Sequence, residues 1–476
     1  MRSITTVICT TLLLTLAPAE ARADRLAGLM KRLFDVATIN APSPLPTGVI
    51  VRHEPHFIVG ESLKLTTREV NVALASQLAT FPLPSSSGGF TFSVNERGEV
   101  VPTSTNFGPA FAERGVTIGR NQFNFGFTFL ASSYDSFEGI DLDSGELSFI
   151  REHNDCCPGG VGIPVNPTDF NPEFERDLLR SNLSATIDSR TTAFFANYGV
   201  TNQFDIGVAV PIVNVKVDAT VDAEILRTAS AATPLTHSFD GRGASRASFS
   251  ESGSATGLGD ILLRAKYNFV RTDTAAFAAA LDLRLPTGDE DDLLGTGATQ
   301  TKIFFVGSGE YARFSPHVNF GYTFSNGDAS DEATSFDLDP QQYALSTVPG
   351  FSPREVDLSV PDEINYTVGF AVAAGPRVTL GFDMLGRTIR DVPRFSLQSN
   401  TYMNRGPGAL PAASFTARDE FSVESRSGNL NLLLGVLGGK INLGGTFLLN
   451  LTVLFPLTDD GLKPNPTPVI GFDYVF

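Results

Sequence analysis

Apolar residues recur at every second position through much of the chain. Phe123, Phe125, Phe127 and Phe129 alternate with Gln122, Asn124, Gly126 and Thr128. Phe204, Ile206, Val208 and Val210 alternate with Asp205, Gly207 and Ala209. The pattern returns at Ile261, Leu263, Ala265, Tyr267 and Phe269, at Phe277 to Leu285, at Val318 to Phe324, at Tyr366 to Val372 and at Val378 to Met384. A helix would put residues i and i+2 on different faces, whereas a strand puts them on one. These runs therefore predict strands with one greasy face and one small or polar face. A soluble sandwich and a membrane barrel both meet that description.

The C-terminal strand separates the two. Pro468, Ile470, Phe472, Tyr474 and Phe476 alternate up to a terminal phenylalanine, similar to the signal by which outer-membrane proteins are taken up for barrel assembly. The expected fold class is all-β: a transmembrane antiparallel β-barrel of about 14 strands, with 12–16 admissible, preceded by a short N-terminal helix. The expected strands are 86–94, 121–131, 144–151, 189–199, 203–215, 258–270, 275–286, 299–307, 314–324, 363–373, 377–387, 427–437, 440–455 and 467–476. With Phe476 on the periplasmic side, the long connections 152–188, 216–257, 287–298, 325–362, 388–426 and 457–466 fall outside the cell. The short links at Thr201-Asn202, Arg271-Thr272-Asp273, 308–313, Gly375-Pro376 and Gly438-Gly439 fall on the periplasmic side. Long outer loops and short inner turns are the asymmetry of such barrels.

The first residues follow a different rule. Arg2, an apolar stretch from Ile4 to Leu16 and Ala21-Arg22-Ala23 make a signal peptide over 1–23. Residues 24–85 are expected to hold a helix and a linker, and 86–476 the barrel. Leu26, Leu29, Met30, Leu33, Phe34 and Ala37 form one helical stripe. Pro42, Pro44 and Pro46 follow in an extended segment. The helix fits a plug or lid at the periplasmic mouth, or a piece packed on the barrel rim or partly disordered.

Composition narrows the function. Of 476 residues, 52 are acidic and 35 basic, for a net charge of −17, which speaks against nucleic acid as a partner. No later stretch approaches the ~20 apolar residues of a spanning helix. Beyond the signal segment the only cysteines are Cys156 and Cys157. That is too few for a disulfide framework, and whether they are free or bridged stays open. Asp289, Glu290, Asp291 and Asp292 form a weak Ca²⁺ candidate, since calcium loops space their ligands around a turn; a solvated loop tip is the plainer alternative. None of the five histidines sits in a nucleophile motif, so no enzyme is expected. No motif calls for a cofactor.

The polar phase of the strands nominates lumen-lining residues: Asp205, Arg264, Lys266, Asp282, Arg284, His317, Asn319 and Asp383. Phe107 and Phe111 are candidate contacts for a hydrophobic substrate. Phe195 to Thr201 with Phe204 to Pro211, Gly257-Leu258-Gly259-Asp260-Ile261 leading to Lys266-Tyr267, and Leu285-Pro286-Thr287-Gly288-Asp289 with Gly295-Thr296-Gly297 resemble blocks of the outer-membrane "transporter" family. That family is described as proteins of the meta-pathway of phenol degradation, and the likeness is fullest over roughly 190–325. The resemblance implies a Gram-negative outer-membrane channel for passive or facilitated uptake of small solutes, among them hydrophobic or aromatic compounds. The expected partners are membrane lipid, lipopolysaccharide, the solute and the outer-membrane assembly machinery. The alternative is a structural or adhesive barrel that acts through its extracellular loops.

Overall fold

A computed structural model describes residues 26–37, 106–153, 177–226, 237–327, 359–402 and 418–476. It also describes residue 39 and the short pieces 43–44, 50–51, 57–58, 77–78, 92–94 and 100–102. Among the described residues, twelve antiparallel strands form a closed wall. They are β1 (Phe123–Phe137), β2 (Leu178–Gly199), β3 (Phe204–Leu226), β4 (Arg246–Leu258 continued by Ile261–Arg271), β5 (Ala275–Leu285), β6 (Thr299–Gly309), β7 (Phe314–Asn326), β8 (Glu363–Gly375), β9 (Val378–Tyr402), β10 (Arg418–Gly444), β11 (Phe447–Pro456) and β12 (Thr467–Val475). Both pieces of β4 pair with β3, so they are one strand broken at Gly259-Asp260. Closure is made by β12 on β1, from Val469 opposite Leu130 to Val475 opposite Asn124. Phe123 and Phe476 then exchange both backbone hydrogen bonds, at 2.8 and 2.9 Å. A sheet in lipid has to close in this way, because an open edge would leave unpaired N–H and C=O groups.

Two of the expected strands do not enter the wall. Phe92–Val94 pairs with Val100–Pro102 in a separate hairpin, and residues 86–91 lie outside the described residues. Leu147–His153 pairs with the far end of β2 (Leu178–Leu183), beyond the reach of β1. The wall thus has twelve staves, the low end of the expected range. The turn expected at Gly438-Gly439 is also displaced. β10 runs straight through that pair, and the chain reverses at Gly444 and Gly445, whose φ values are 149° and 57°. Nothing crowds those two, whereas a Cβ on Gly438 would stand 2.5 Å from the Leu451 carbonyl oxygen. Gly438 permits a close strand approach; Gly444-Gly445 supplies the turn.

The five tight reversals, 200–203, 272–274, 310–313, 376–377 and 445–446, lie at the same end as Phe476. We call this the turn end; it is the periplasmic end by the asymmetry of outer-membrane barrels. Outward residues near it are apolar and exposed, including Ile206, Leu263, Leu281, Phe305, Phe320, Val368, Leu380 and Leu437. On β3 this belt runs from Phe204 to Ile212. At ~3.3 Å per residue and a tilt of about 40°, that is roughly 20 Å, near the apolar band of a transmembrane barrel. The outer surface there faces lipid.

Above the belt the two faces exchange character. On β3, Asp205, Gly207 and Ala209 point inward and Ile206, Val208 and Ile212 outward. Beyond Ile212 the inward residues are Val213, Val215, Val217, Ala219, Val221, Ala223 and Ile225, all buried, and the outward ones Asn214, Lys216, Asp218, Thr220, Asp222 and Glu224. β2 changes at the same level, from outward Phe194 and Tyr198 to outward Arg190, Asp188 and Thr186. This is water outside and oil inside, the arrangement of a soluble protein. The segments expected as the loops 216–257 and 388–426 are largely strand. They extend β2, β3 and β4 on one side and β9 and β10 on the other.

The extension is filled by the N-terminal helix. Leu26–Gly28 makes one 3₁₀ turn and α1 spans Leu29–Val36. The whole predicted stripe, Leu26, Leu29, Met30, Leu33, Phe34 and Ala37, is buried against Phe149, Leu179, Val221 and their neighbours. Arg32 pairs with Glu251 of β4 at 3.3 Å. The Arg151 guanidinium donates to the carbonyl of Ala37 at 2.5 Å, satisfying a helix C-terminal acceptor. A plug or lid at the periplasmic mouth and a piece packed on the barrel rim are both expected from the sequence; the helix lies inside the extension, away from the turn end. The reason is that only there is the inner face apolar. The two sides of the extension are tied by Arg180 of β2, which pairs with Glu224 of β3 and, at 3.0 Å, with Glu420 of β10.

Candidate functional site

At belt level the lumen is polar, and it is crossed by chain. Residues 106–118, just before β1, thread the barrel close to the turn end. Among the described residues they pair with no strand. Side chains of the wall take up their backbone instead. The Phe107 N–H donates to Thr379 Oγ1 at 3.0 Å, Phe111 N–H to Asp383 Oδ2 at 3.1 Å, Glu113 N–H to Asn319 Oδ1 at 2.8 Å, Gly115 N–H to Ser308 Oγ at 3.0 Å and Ile118 N–H to Asp205 Oδ2 at 2.9 Å. In return Asn319 Nδ2 donates to the Glu113 carbonyl at 3.0 Å and Asn268 Nδ2 to the Gly115 carbonyl at 2.6 Å. A buried segment without secondary structure must find partners for its peptide groups. Here the inward phase of five staves, β3, β4, β6, β7 and β9, provides them.

The charges converge on Glu113. Its carboxylate pairs with Arg264 and, at 3.4 Å, with Lys266, whose ammonium also stands 4.0 Å from Asp205. Arg264 holds Asp282 as well, with Nε and Nη2 each 2.6 Å from a carboxylate oxygen. Such a two-pronged pair fixes orientation along with charge. Arg114 next along the strap reaches Glu310 at 3.4 Å. On the other side His317 Nε2 meets Asp383 Oδ1, while the second oxygen of Asp383 takes the strap N–H groups of Phe111 and Ala112.

All eight nominated lumen residues therefore face inward. Asp205, Arg264, Lys266, Asn319 and Asp383 bond the strap directly. Asp282 and His317 hold strap-bonding residues in position. Arg284 lines a cavity above the strap. Phe111 lines the same cavity, but Phe107 is packed between Leu448 and Val475 and does not. The strap itself was missed. Its trace in the sequence is Glu113-Arg114, two charges in an otherwise small and apolar stretch ahead of the first strand.

That cavity measures about 200 Å³. Phe111 and Glu113 contribute to it from below, and Tyr134 and Leu462 border it from the apolar core above. Arg387 of β9 pairs with Glu363 of β8 on one side. Phe304 of β6 lies beneath two cations, with Arg264 Cζ 5.3 Å and Lys302 Nζ 4.9 Å from its ring centre.

The acidic run beside β5 is part of a different device. Asp260, at the break in β4, accepts from Gly288 N–H at 3.1 Å and from Thr296 N–H and Oγ1 at 2.9 and 2.8 Å. Ile261 N–H donates to Thr287 Oγ1, which donates to the Gly259 carbonyl. The Gly-Asp block of β4, the Pro-Thr-Gly-Asp block after β5 and the Gly-Thr-Gly block before β6 thus meet in one knot. It drives Leu293 and Leu294 into the core. Asp289 Oδ1 accepts from Asp291 N–H in a local turn. Among the described residues no three His, Cys, Asp or Glu side chains are gathered to hold a metal ion. Cys156 and Cys157 lie outside the described residues.

Residues 179–354 match the family described as "Putative MetA-pathway of phenol degradation". No curated protein matches the chain. Among solved structures, an outer membrane channel from Pseudomonas putida F1 aligns with 77% of this chain and 100% of its own, at 9% identity and a TM-score of 0.38. A mutant of the TodX monoaromatic hydrocarbon channel aligns over 83% and 99%, at 10% and 0.33. A FadL homologue from Pseudomonas aeruginosa aligns over 75% and 90%, at 9% and 0.29. The matched segment begins in β2, takes in β3 to β7 and includes the three blocks that meet at Asp260, and over it this barrel is similar to the family of the phenol-degradation MetA pathway.

Proposed function

We propose that the barrel is a gated channel that takes small, partly apolar solutes across the outer membrane, and that the strap 106–118 closes it at the turn end. The observation that carries this reading is how the strap is held. It lies across the lumen on side-chain hydrogen bonds and ion pairs and shares no ladder with the wall. A segment held by many separable polar contacts can leave without unzipping the barrel. A strand could not. The polar inward face beneath it then becomes a hydrated passage, as in other barrels with polar interiors. The resident cavity gives a solute a place to wait above the strap.

The test is conductance of the folded protein in a planar bilayer, with and without Glu113→Ala. Removing this carboxylate leaves Arg264 and Lys266 without their shared partner and costs the strap about 3 kcal/mol of anchoring. The wild type should open rarely, and the variant should show longer or more frequent openings and faster solute entry into liposomes. A well-folded variant that never conducts or passes solute would remove the channel reading. It would leave a structural barrel acting through its loops.

A further inference from the structure

The cavity above the strap is two-sided. Its β9–β10 wall presents Leu385, Leu432 and Leu434; its β5–β6 wall presents Arg284 and Lys302. The carboxylates nearest to Lys302 are committed elsewhere. Asp282 stands directly opposite it across the β5–β6 pair, yet both its oxygens are taken by the Arg264 fork. Glu363 is taken by Arg387 in the same manner. Among the described residues the Lys302 ammonium has no hydrogen bond or ion pair, and it lies over the face of Phe304, 4.9 Å from the ring centre. Over the whole lining, five basic side chains (Arg264, Arg284, Lys302, Arg387 and Lys463) face four acidic ones (Glu113, Asp282, Glu363 and Asp460). That excess of positive charge sits inside a chain whose net charge is −17.

We infer that this cavity takes a small amphipathic monoanion: a single ring or short aliphatic body bearing one carboxylate. The carboxylate meets Lys302 and Arg284, and the body lies on Leu385, Leu432 and Leu434 with Phe111 beneath. Size agrees. An apolar cavity of about 150 Å³ holds benzene, so the space here holds one ring with its carboxylate and no drug-sized molecule. Charge agrees too. An ammonium facing a confined space of low dielectric gains more from an anion than it would in water, and a neutral hydrocarbon would leave it unmatched. This specifies the solute of the channel proposed above and rests on the same cavity, but binding does not require passage.

The experiment is calorimetric titration of the full chain, folded in detergent, with benzoate and with its neutral counterpart benzyl alcohol. Heat-dependent gel mobility checks the fold of each variant. Benzoate should bind more tightly than benzyl alcohol to the wild type. Lys302→Gln should weaken benzoate by about tenfold or more, the worth of one charge-assisted hydrogen bond. Lys302→Arg should retain most of the affinity, and benzyl alcohol should be indifferent to both changes. Equal affinity for the two probes, no binding of either, or benzoate binding untouched by Lys302→Gln would each overturn the inference. The wild-type comparison holds even if a variant fails to fold. Solute passage without preference for benzoate would sink this proposal and leave the channel standing. Benzoate held by a barrel that never conducts would do the reverse.

Discussion

Asp260 shows how one side chain can organise a barrel. Its two oxygens receive three donors from the loop between β5 and β6. It sits at the one point where β4 changes phase, from inward Gly257 to inward Leu262. Asp260→Ala would strand those donors inside the wall. Buried hydrogen bonds to a carboxylate are worth about 1.5–3 kcal/mol each, and only part of that is lost if the loop relaxes. The expected cost is about 3 kcal/mol, read as a lower denaturant midpoint for unfolding from detergent or lipid. An unchanged midpoint would show that the knot is incidental. The sequence marks this residue only within a family-like block, because a capping carboxylate and a ligand-binding one look alike until their partners are known. Lys302 has the opposite history. It stands in a strand of mixed character, Thr-Gln-Thr-Lys-Ile-Phe-Phe, and its lack of an ion pair among the described residues became visible only once Asp282 was seen to be held by Arg264.

At the scale of elements, α1 and the extended strands need each other. The helix has eight residues and no side-chain cap at its start, so it would be marginal alone in water. The apolar inner faces of β2, β3 and β4 above the belt would equally be left open without it. Leu29 and Leu33 are fully buried at that contact. Leu29→Ala and Leu33→Ala should each cost about 2–5 kcal/mol by the usual cavity penalty. The loss should fall on the extension: protease should cut within 213–226 or 388–402 while the belt keeps its heat-dependent mobility. If both regions resist equally, the helix is not what supports the extension. The helix was legible from its stripe. Its partner was not, since the strands that receive it were expected to end near residue 215. Ile212 and Val213 are adjacent and both apolar, one turned to lipid and the other to the core. At that step the alternation changes meaning without a break, and a change from oil outside to oil inside reads locally like the end of a strand.

The molecule as a whole has two environments stacked along one axis. Below is a wall with lipid outside and charge inside, closed by the strap. Above is a soluble-type barrel around a helix, drawn together by Arg180 between Glu224 and Glu420. A substitution should therefore be judged by level as well as by face. Leu281, exposed on the outer face near the middle of β5, should cost about 2–4 kcal/mol when changed to Arg. Thr220→Arg, also outward but above the belt on β3, should cost almost nothing. Folding equilibria of both variants in lipid bilayers measure this directly, and equal costs would mean that the belt has been drawn at the wrong height.

The sequence by itself determined the fold class, the outward face of nearly every belt strand, the inward polar set and the tight turns that need little room. These follow from period-two alternation against two different solvents, a local rule that neighbouring residues reveal. Tertiary structure alone decided that twelve strands close the wall, that β10 turns at Gly444-Gly445, that β2, β3, β9 and β10 continue above the membrane, and that residues 106–118 cross the lumen. Each of these depends on what lies opposite in space: a carbonyl beside Gly438, a helix facing Val221, Asn319 and Asp383 facing an aperiodic strap. Partners separated by tens to hundreds of residues leave no period in the chain, so only closure of the barrel brings them into view.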